Sequence, residues 1–306
     1  MKMHDTKLFR AALILSAATA IACAARSVAA DTVGQTTKDI EYARVGDQPL
    51  RLDLYEPAAA KAPLLVWIHG GGWERGSKTP MPLTGLVERG YAVASLDFRP
   101  ASAARFPGQV HEIKAAIRFL RAAAPRYAYD ARRVGILGAS SGGHLAALVG
   151  TSNGQADLEG TLGDHPNESS AVQAIVSYFG ASNLTTILAQ STPFGLGVRK
   201  PALTALLGAL PEENDAVARL ASPVFRVDAN DPPLLLLHGD QDPQMPINQS
   251  HELQGQYEHA GLEVDLIVVH GAAHGGEAFY TPQNLNRVAA FLDAHLRRTE
   301  LSSAQR

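Results

Sequence analysis

Residues 138–142 read Gly-Ala-Ser-Ser-Gly, after the apolar run Arg-Val-Gly-Ile-Leu and ahead of a second apolar run from Leu145. That is a strand, a Gly-bounded turn and a helix start, with Ser140 at the apex. A serine hydroxyl attacks a carbonyl only when it is held beside a base, with N–H donors waiting for the developing oxyanion. The G-x-S-x-G elbow supplies that geometry, and the helix N-terminus behind it favours negative charge. The five residues alone are weak evidence, because a Gly-rich βα turn is often only a turn. Three other segments supply the context.

Upstream, the buried-strand run Pro63–Ile68 ends in His69-Gly70-Gly71-Gly72-Trp73. Three successive glycines carry a conformational cost. They let the chain run close past a reacting group while presenting N–H, which an oxyanion hole requires. A phosphate loop is the rival, but neither Gly-Lys-Ser/Thr nor G-x-G-x-x-G is present. Trp73 puts aromatic bulk directly after the glycines, which predicts a substrate-binding role that limits acyl size.

Downstream, the apolar run Pro232–Leu237 with His238 opens into Gly239-Asp240-Gln241-Asp242-Pro243. A carboxylate past a strand end can hold a histidine in the right tautomer. Asp240 and Asp242 compete. Turn chemistry favours Asp240 as a brace of its own turn and Asp242 as the acid that reaches across the sheet. The run Val264–Val269, then His270, is followed by Gly271-Ala-Ala-His274-Gly-Gly276. The small residues let His274 fold inward, whereas His270 at the strand end is expected to point into the scaffold. The order Ser140, Asp242, His274 is the chain order of a hydrolase triad on an α/β sheet.

Together these four segments resemble α/β-hydrolase esterases, in particular the esterase/lipase group related to hormone-sensitive lipase and to bifunctional feruloyl/acetyl-xylan esterases. The resemblance runs from about Asp39 to Arg298. It implies Ser140 as nucleophile, Asp242 as acid and His274 as base, with oxyanion donors at Gly71, Gly72 and Ser141 and His69 bracing the loop. It also implies ester hydrolysis without a cofactor, with acetyl or feruloyl esters on carbohydrate as candidates beside generic short-chain esters. Ser141 replaces the usual alanine, which leaves a backbone N–H intact. Asn183 stands where the pattern has aspartate, so any role tied to that charge is in doubt.

The elements that must position these residues alternate along the chain. Ile40–Val45 and Leu50–Tyr55 read as an antiparallel opening pair. A helix near 82–89, the strand Tyr91–Leu96 and a helix over 109–124 follow, the last with Val110, Ile113, Ile117 and Leu120 at helical spacing. After the elbow come a strand at 174–179, the acid strand, a helix over 247–259, the base strand and a closing helix over 284–297. This alternation predicts an α/β fold, a mostly parallel central sheet with helices on both faces. The interval 183–231 is the least regular. It reads as a cap-like insertion with one short helix at 203–210, broken by Pro193, Gly195, Gly197, Pro201 and Pro211, and without the long amphipathic helix of a lipase lid. Arg99 reads equally as an ion-pair residue or a catalytic one.

Residues 1–30 have a basic start, an apolar stretch at 11–25 and small residues before Asp31, the layout of a cleaved secretory signal. That stretch is too short and alanine-rich for a comfortable membrane span. Cys23, the single cysteine, lies inside it in a poor lipoprotein box, so a lipid anchor is the lesser reading. The expected mature chain, 31–306, is one secreted or periplasmic domain with no thiol, large enough to fold without disulfide staples. The formal charge is −3, and residues 1–30 carry a net +3, leaving the remainder near −6. That charge gives no footprint for nucleic acid or anionic lipid. His-Glu at 111–112 and 251–252 never extends to His-Glu-x-x-His, so no zinc site is expected. An appended propeller or an amine-binding acidic pair would support an exported peptidase or amidase on the same fold, and neither is visible. A non-catalytic binding module would be expected to lack a triad member. The oligomeric state is not legible.

Overall fold

The computed structural model describes residues 34–297, so the expected signal segment and Cys23 lie outside the described residues. Eight strands form one sheet: β1 (Thr36–Val45), β2 (Gln48–Tyr55), β3 (Ala62–Ile68), β4 (Ala92–Leu96), β5 (Tyr129–Ala139), β6 (Ala174–Tyr178), β7 (Leu234–Gly239) and β8 (Val264–Val269). Their spatial order is β1-β2-β4-β3-β5-β6-β7-β8. β1 and β2 pair antiparallel, as does β2 with β4, and every later pairing is parallel. The helices are α1 (Thr84–Val87), α2 (Gly108–Ala123), α3 (Ser141–Gly150), α4 (Ala156–Glu159), α5 (Ile187–Gln190), α6 (Pro193–Leu207), α7 (Asp215–Leu220), α8 (Asn248–His259) and α9 (Pro282–Leu296).

β3, β4, β6 and β7 are buried at every residue, which is why they read as unbroken apolar runs without alternation. Helices cover both faces. α2, α3 and α8 pack with Leu64, Val66, Ile136 and Leu236 on one side. α1 and α9 pack with Leu65, Trp67, Leu137 and Leu235 on the other. This is the expected α/β-hydrolase architecture. α2 buries the predicted stripe and also Lys114 and Arg118, which the stripe did not announce. Their charges are met by Glu159 of α4, at 3.0 and 2.5 Å. Arg99 is a scaffold residue: its Nε lies 2.5 Å from the fully buried Glu112 carboxylate, and its own N–H donates to the same group.

The interval 183–231 differs most from the expectation. It holds α5, α6 and α7, and α6 runs 15 residues straight through Gly195, Gly197 and Pro201. Pro193 opens the helix at its first turn, where a missing N–H is no loss. Thr192 caps it by accepting from Gly195 N–H, and Gly208 closes it with a left-handed φ of +86°. Burial of Leu203, Leu206 and Leu207 overrides the poor local propensity. Asn183 accepts from the N–H and Oγ1 of Thr185, so it shapes the start of this interval as a turn residue.

Candidate active site

Ser140 follows β5 with φ +56° and ψ −120°, a strained conformation for a residue with a side chain. The strain is held from both sides. Ser140 N–H donates to Tyr178 O of β6, and Ser140 O accepts from His144 N–H as α3 begins. The flanking glycines permit the turn by close approach: a Cβ on Gly138 would stand 2.1 Å from Gly142 O. Side chains at these positions would push α3 off the strand.

The Oγ of Ser140 lies 2.8 Å from Nε2 of His274, and His274 Nδ1 lies 2.6 Å from Oδ2 of Asp242. A carboxylate only accepts, so Nδ1 carries the proton and Nε2 is free to accept from the serine O–H. The Asp242 side chain is fully buried, which by itself would raise its pKa. Donors outweigh burial: His238, His274 and the Met245 N–H hold the carboxyl well below its ordinary range. Its Oδ1 accepts from Gln244 N–H and Met245 N–H, both at 2.8 Å, which fixes the loop around the acid.

Two residues that sequence reasoning missed support this row. His238, at the end of β7, is fully buried, with Nε2 3.5 Å from Asp242 Oδ2. That nitrogen donates to Met245 O at 3.0 Å, and Ser250 holds the other side of the ring. Phe179 meets the His274 ring edge-on at 4.9 Å and restrains it. The i, i+4 spacing of His238 and Asp242 was the available signal; Phe179 offered none beyond its place after a strand.

Asp240 and His270 form a separate pair at 2.8 Å, and Asp240 also accepts from Gly271 N–H. The His270 side chain is 83% exposed, so it does not point into the scaffold as expected. It sits at a strand end with no core neighbour to receive it. Asp240 is a brace, engaging Gln241 of its own turn and reaching across to the loop after β8.

The Gly loop comes next to the nucleophile. Gly71 (φ +128°) and Gly72 (φ +63°) border the same cavity as Ser140, and neither N–H has an acceptor among the described residues. A Cβ on Gly71 would fall 1.9 Å from Arg75 O, so the loop closes only with glycine there. Ser141 N–H opens α3, where a helix leaves its first donors unpaired. His69 Nδ1 donates to Gly70 O at 2.7 Å, and its ring stacks on Phe98 at 4.3 Å. Burial lowers its pKa, the carbonyl contact offsetting this in part, and keeps it a neutral strut.

Trp73 does not meet the expectation of a substrate-binding residue. It is 1% exposed and absent from the cavity wall, because its own φ of +63° turns the indole into the core. There Nε1–H donates to His144 Nδ1 at 3.1 Å, and His144 Nε2–H donates to Ala221 O at 2.7 Å. Burial pulls the His144 pKa down to about 4, so this imidazole is neutral. The chain of contacts ties the Gly loop to α3 and to the end of the 183–231 interval. Trp73→Phe is expected to strand the buried His144 Nδ1 at a cost of about 1–3 kcal/mol. Thermal denaturation reads that loss, and the butyrate-to-acetate rate ratio should keep its wild-type value.

The cavity above Ser140 has a volume of about 650 Å³. Its walls are the Gly loop with Glu74 and Arg75, the elbow, Phe179, Gln244, His274 and one face of α6 from Val198 to Ala205. Thus 183–231 does border the nucleophile, through the helix the sequence concealed. The arrangement can deliver a hydroxyl to a carbonyl carbon, move its proton to an imidazole and hold an oxyanion with N–H donors.

The sequence profile of the BD-FAE family matches residues 52–257. Esterase LipC of Mycobacterium tuberculosis is 29% identical over 242 residues, 75% of this chain and 58% of that protein. The chain therefore spans a little over half the length of that curated relative. Among solved structures, a truncated carbohydrate esterase from gut microbiota superposes with TM-score 0.74 at 31% identity, covering 87% of this chain and 98% of that one. The esterase Est2 of Thermogutta terrifontis gives 0.69 at 26% identity, covering 86% and 92%. Est2 has also been solved with propionate and with butyrate bound.

Proposed function

This chain belongs to the BD-FAE family, and on that premise we propose that it is a serine esterase that hydrolyses short-chain carboxylic esters. The observation that carries the reading is the continuous row Ser140 Oγ–His274–Asp242, at 2.8 and 2.6 Å, opening on a cavity edged by free N–H groups. Ser140 Oγ attacks the ester carbonyl as His274 Nε2 takes its proton. Asp242, ionised, stabilises the imidazolium. The N–H groups of Gly71, Gly72 and Ser141 receive the oxyanion. His274 then protonates the leaving alkoxide, and a water activated by the same imidazole releases the acid.

A short acyl group, acetyl on carbohydrate included, is the preferred reading. Its support is the likeness to a carbohydrate esterase and to an esterase solved with propionate and butyrate. Trp73 adds nothing to it, since that ring lies outside the cavity. A p-nitrophenyl ester series from acetate to octanoate, with acetyl-xylan and methyl ferulate, tests it. The expected optimum is two to four carbons, with each unburied methylene beyond it forfeiting roughly 0.8 kcal/mol, about fourfold in kcat/KM. An optimum at octanoate would overturn the short-chain reading. We also place the mature protein outside the cytoplasm, on the basic, apolar and small-residue layout of residues 1–30. A mature N-terminus at or near Asp31 is the check; a retained Met1 would contradict it.

A further inference from the structure

Arg199 is 2% exposed and lies on α6 in the wall of the cavity. Its side chain forms no ion pair and no hydrogen bond among the described residues, and its Nε and Nη1 are buried without partners. An unpaired guanidinium withdrawn from water is costly, and it is retained where a counter-charge completes it. Asp242 does not serve: its oxygens are already engaged by His274 and by two backbone N–H groups. Glu74 faces the same cavity from the Gly loop, also with a buried, unpartnered oxygen, but makes no ion pair with Arg199. Arg75 adds a second cation at the rim.

The position of Arg199 says which part of a substrate it meets. The N-terminal end of α6 is fastened to the acid loop, where Thr192 Oγ1 donates to Pro243 O at 2.8 Å. Further along, Ala202 stands against Gly72 of the oxyanion side. Arg199 comes between them, close enough to Asp242 for that charge to offset part of the burial that lowers its pKa. His274 must hand its proton to the leaving oxygen, so the alcohol portion of an ester lies towards the acid loop, and the acyl oxygen towards Gly71 and Gly72.

We propose that Arg199 receives a carboxylate carried by the alcohol portion of the substrate, so that this enzyme selects acyl esters of hydroxy acids or acidic sugars. The inference rests on the esterase reading of the same site. A guanidinium presents a planar fork that matches a carboxylate with two parallel hydrogen bonds, and low-dielectric surroundings strengthen the pair.

The test compares 3- and 4-acetoxybenzoate with the matching acetoxybenzamides at pH 7.5, where shape is nearly constant and only the charge changes. The wild-type enzyme is expected to prefer an acid over its amide at least about tenfold in kcat/KM, the range of a charge-assisted hydrogen bond. The neutral amide is the better leaving group, so intrinsic reactivity runs against this outcome. In Arg199→Met the preference should collapse to near unity, and in Arg199→Lys it should survive in part. If Arg199→Met does not fold, the wild-type ratio and Arg199→Lys decide. Equal rates for acid and amide in the wild type would overturn the assignment while leaving ester hydrolysis intact. No hydrolysis of either would instead count against the esterase reading itself. A preference seen only with an anion on the acyl side, as in p-nitrophenyl hydrogen succinate against its methyl ester, would also overturn the proposed placement.

Discussion

Ser140→Ala is expected to lower kcat/KM on p-nitrophenyl acetate by about 10⁴- to 10⁶-fold, the loss seen when a triad nucleophile is removed. The residue is the only hydroxyl within hydrogen-bond distance of His274 Nε2 among the described residues. Nothing else stands ready to form the acyl-enzyme, and what remains is binding plus N–H donors around a water. The fold should survive. The side chain makes a single hydrogen bond, and the strained backbone is held by Tyr178 O and His144 N–H, both of which act on the main chain. Alanine keeps those contacts, so stability is expected to stay within about 1 kcal/mol of wild type. Steady-state kinetics and a thermal melt on the same preparation separate the two effects. A folded variant with a few per cent of wild-type activity would remove Ser140 from the role of nucleophile.

The elbow was legible because its motif is local. Gly138 is refused a side chain by Gly142 O, four positions on, and the motif announces Gly142 as well, although what refuses a side chain there is the distant Ile68 O and His69 O at the end of β3. The strands were legible for a related reason: a strand covered on both faces has no solvent side, so β3 and β7 stand out as unbroken apolar runs. Trp73 shows where this ends. An aromatic after three glycines has a direction only once φ is known, and its partner His144 is 71 residues away. α6 was hidden because two glycines and an internal proline argue locally against a helix, whereas the packing of Leu203, Leu206 and Leu207 decides it. Arg199 carried no signal at all. An arginine in a proline-rich interval reads as surface, and only its burial without a counter-charge gives it meaning.

The two aspartates after β7 separate just as sharply, and here the sequence left a choice open. Asp242→Asn is expected to reduce kcat by about 10⁴-fold near neutral pH, and Asp240→Asn to change it by less than about threefold, as for a surface pair. The amide introduced by Asp242→Asn can still accept from Gln244 and Met245 through its oxygen, so the acid loop keeps its shape. Its NH₂, however, takes the place of Oδ2 and faces His274 Nδ1 as a donor. The ring must then accept at Nδ1 and carry its proton at Nε2, which is the wrong tautomer to relieve Ser140 of a proton. Asp242→Ala removes both anchors and should in addition lower the melting temperature. Asp240 holds an exposed histidine and one loop N–H, contacts that exchange with water at little cost. Were Asp240→Asn the more damaging change in a folded protein, the acid would have to be reassigned, and the 2.6 Å contact of Asp242 would be a structural one.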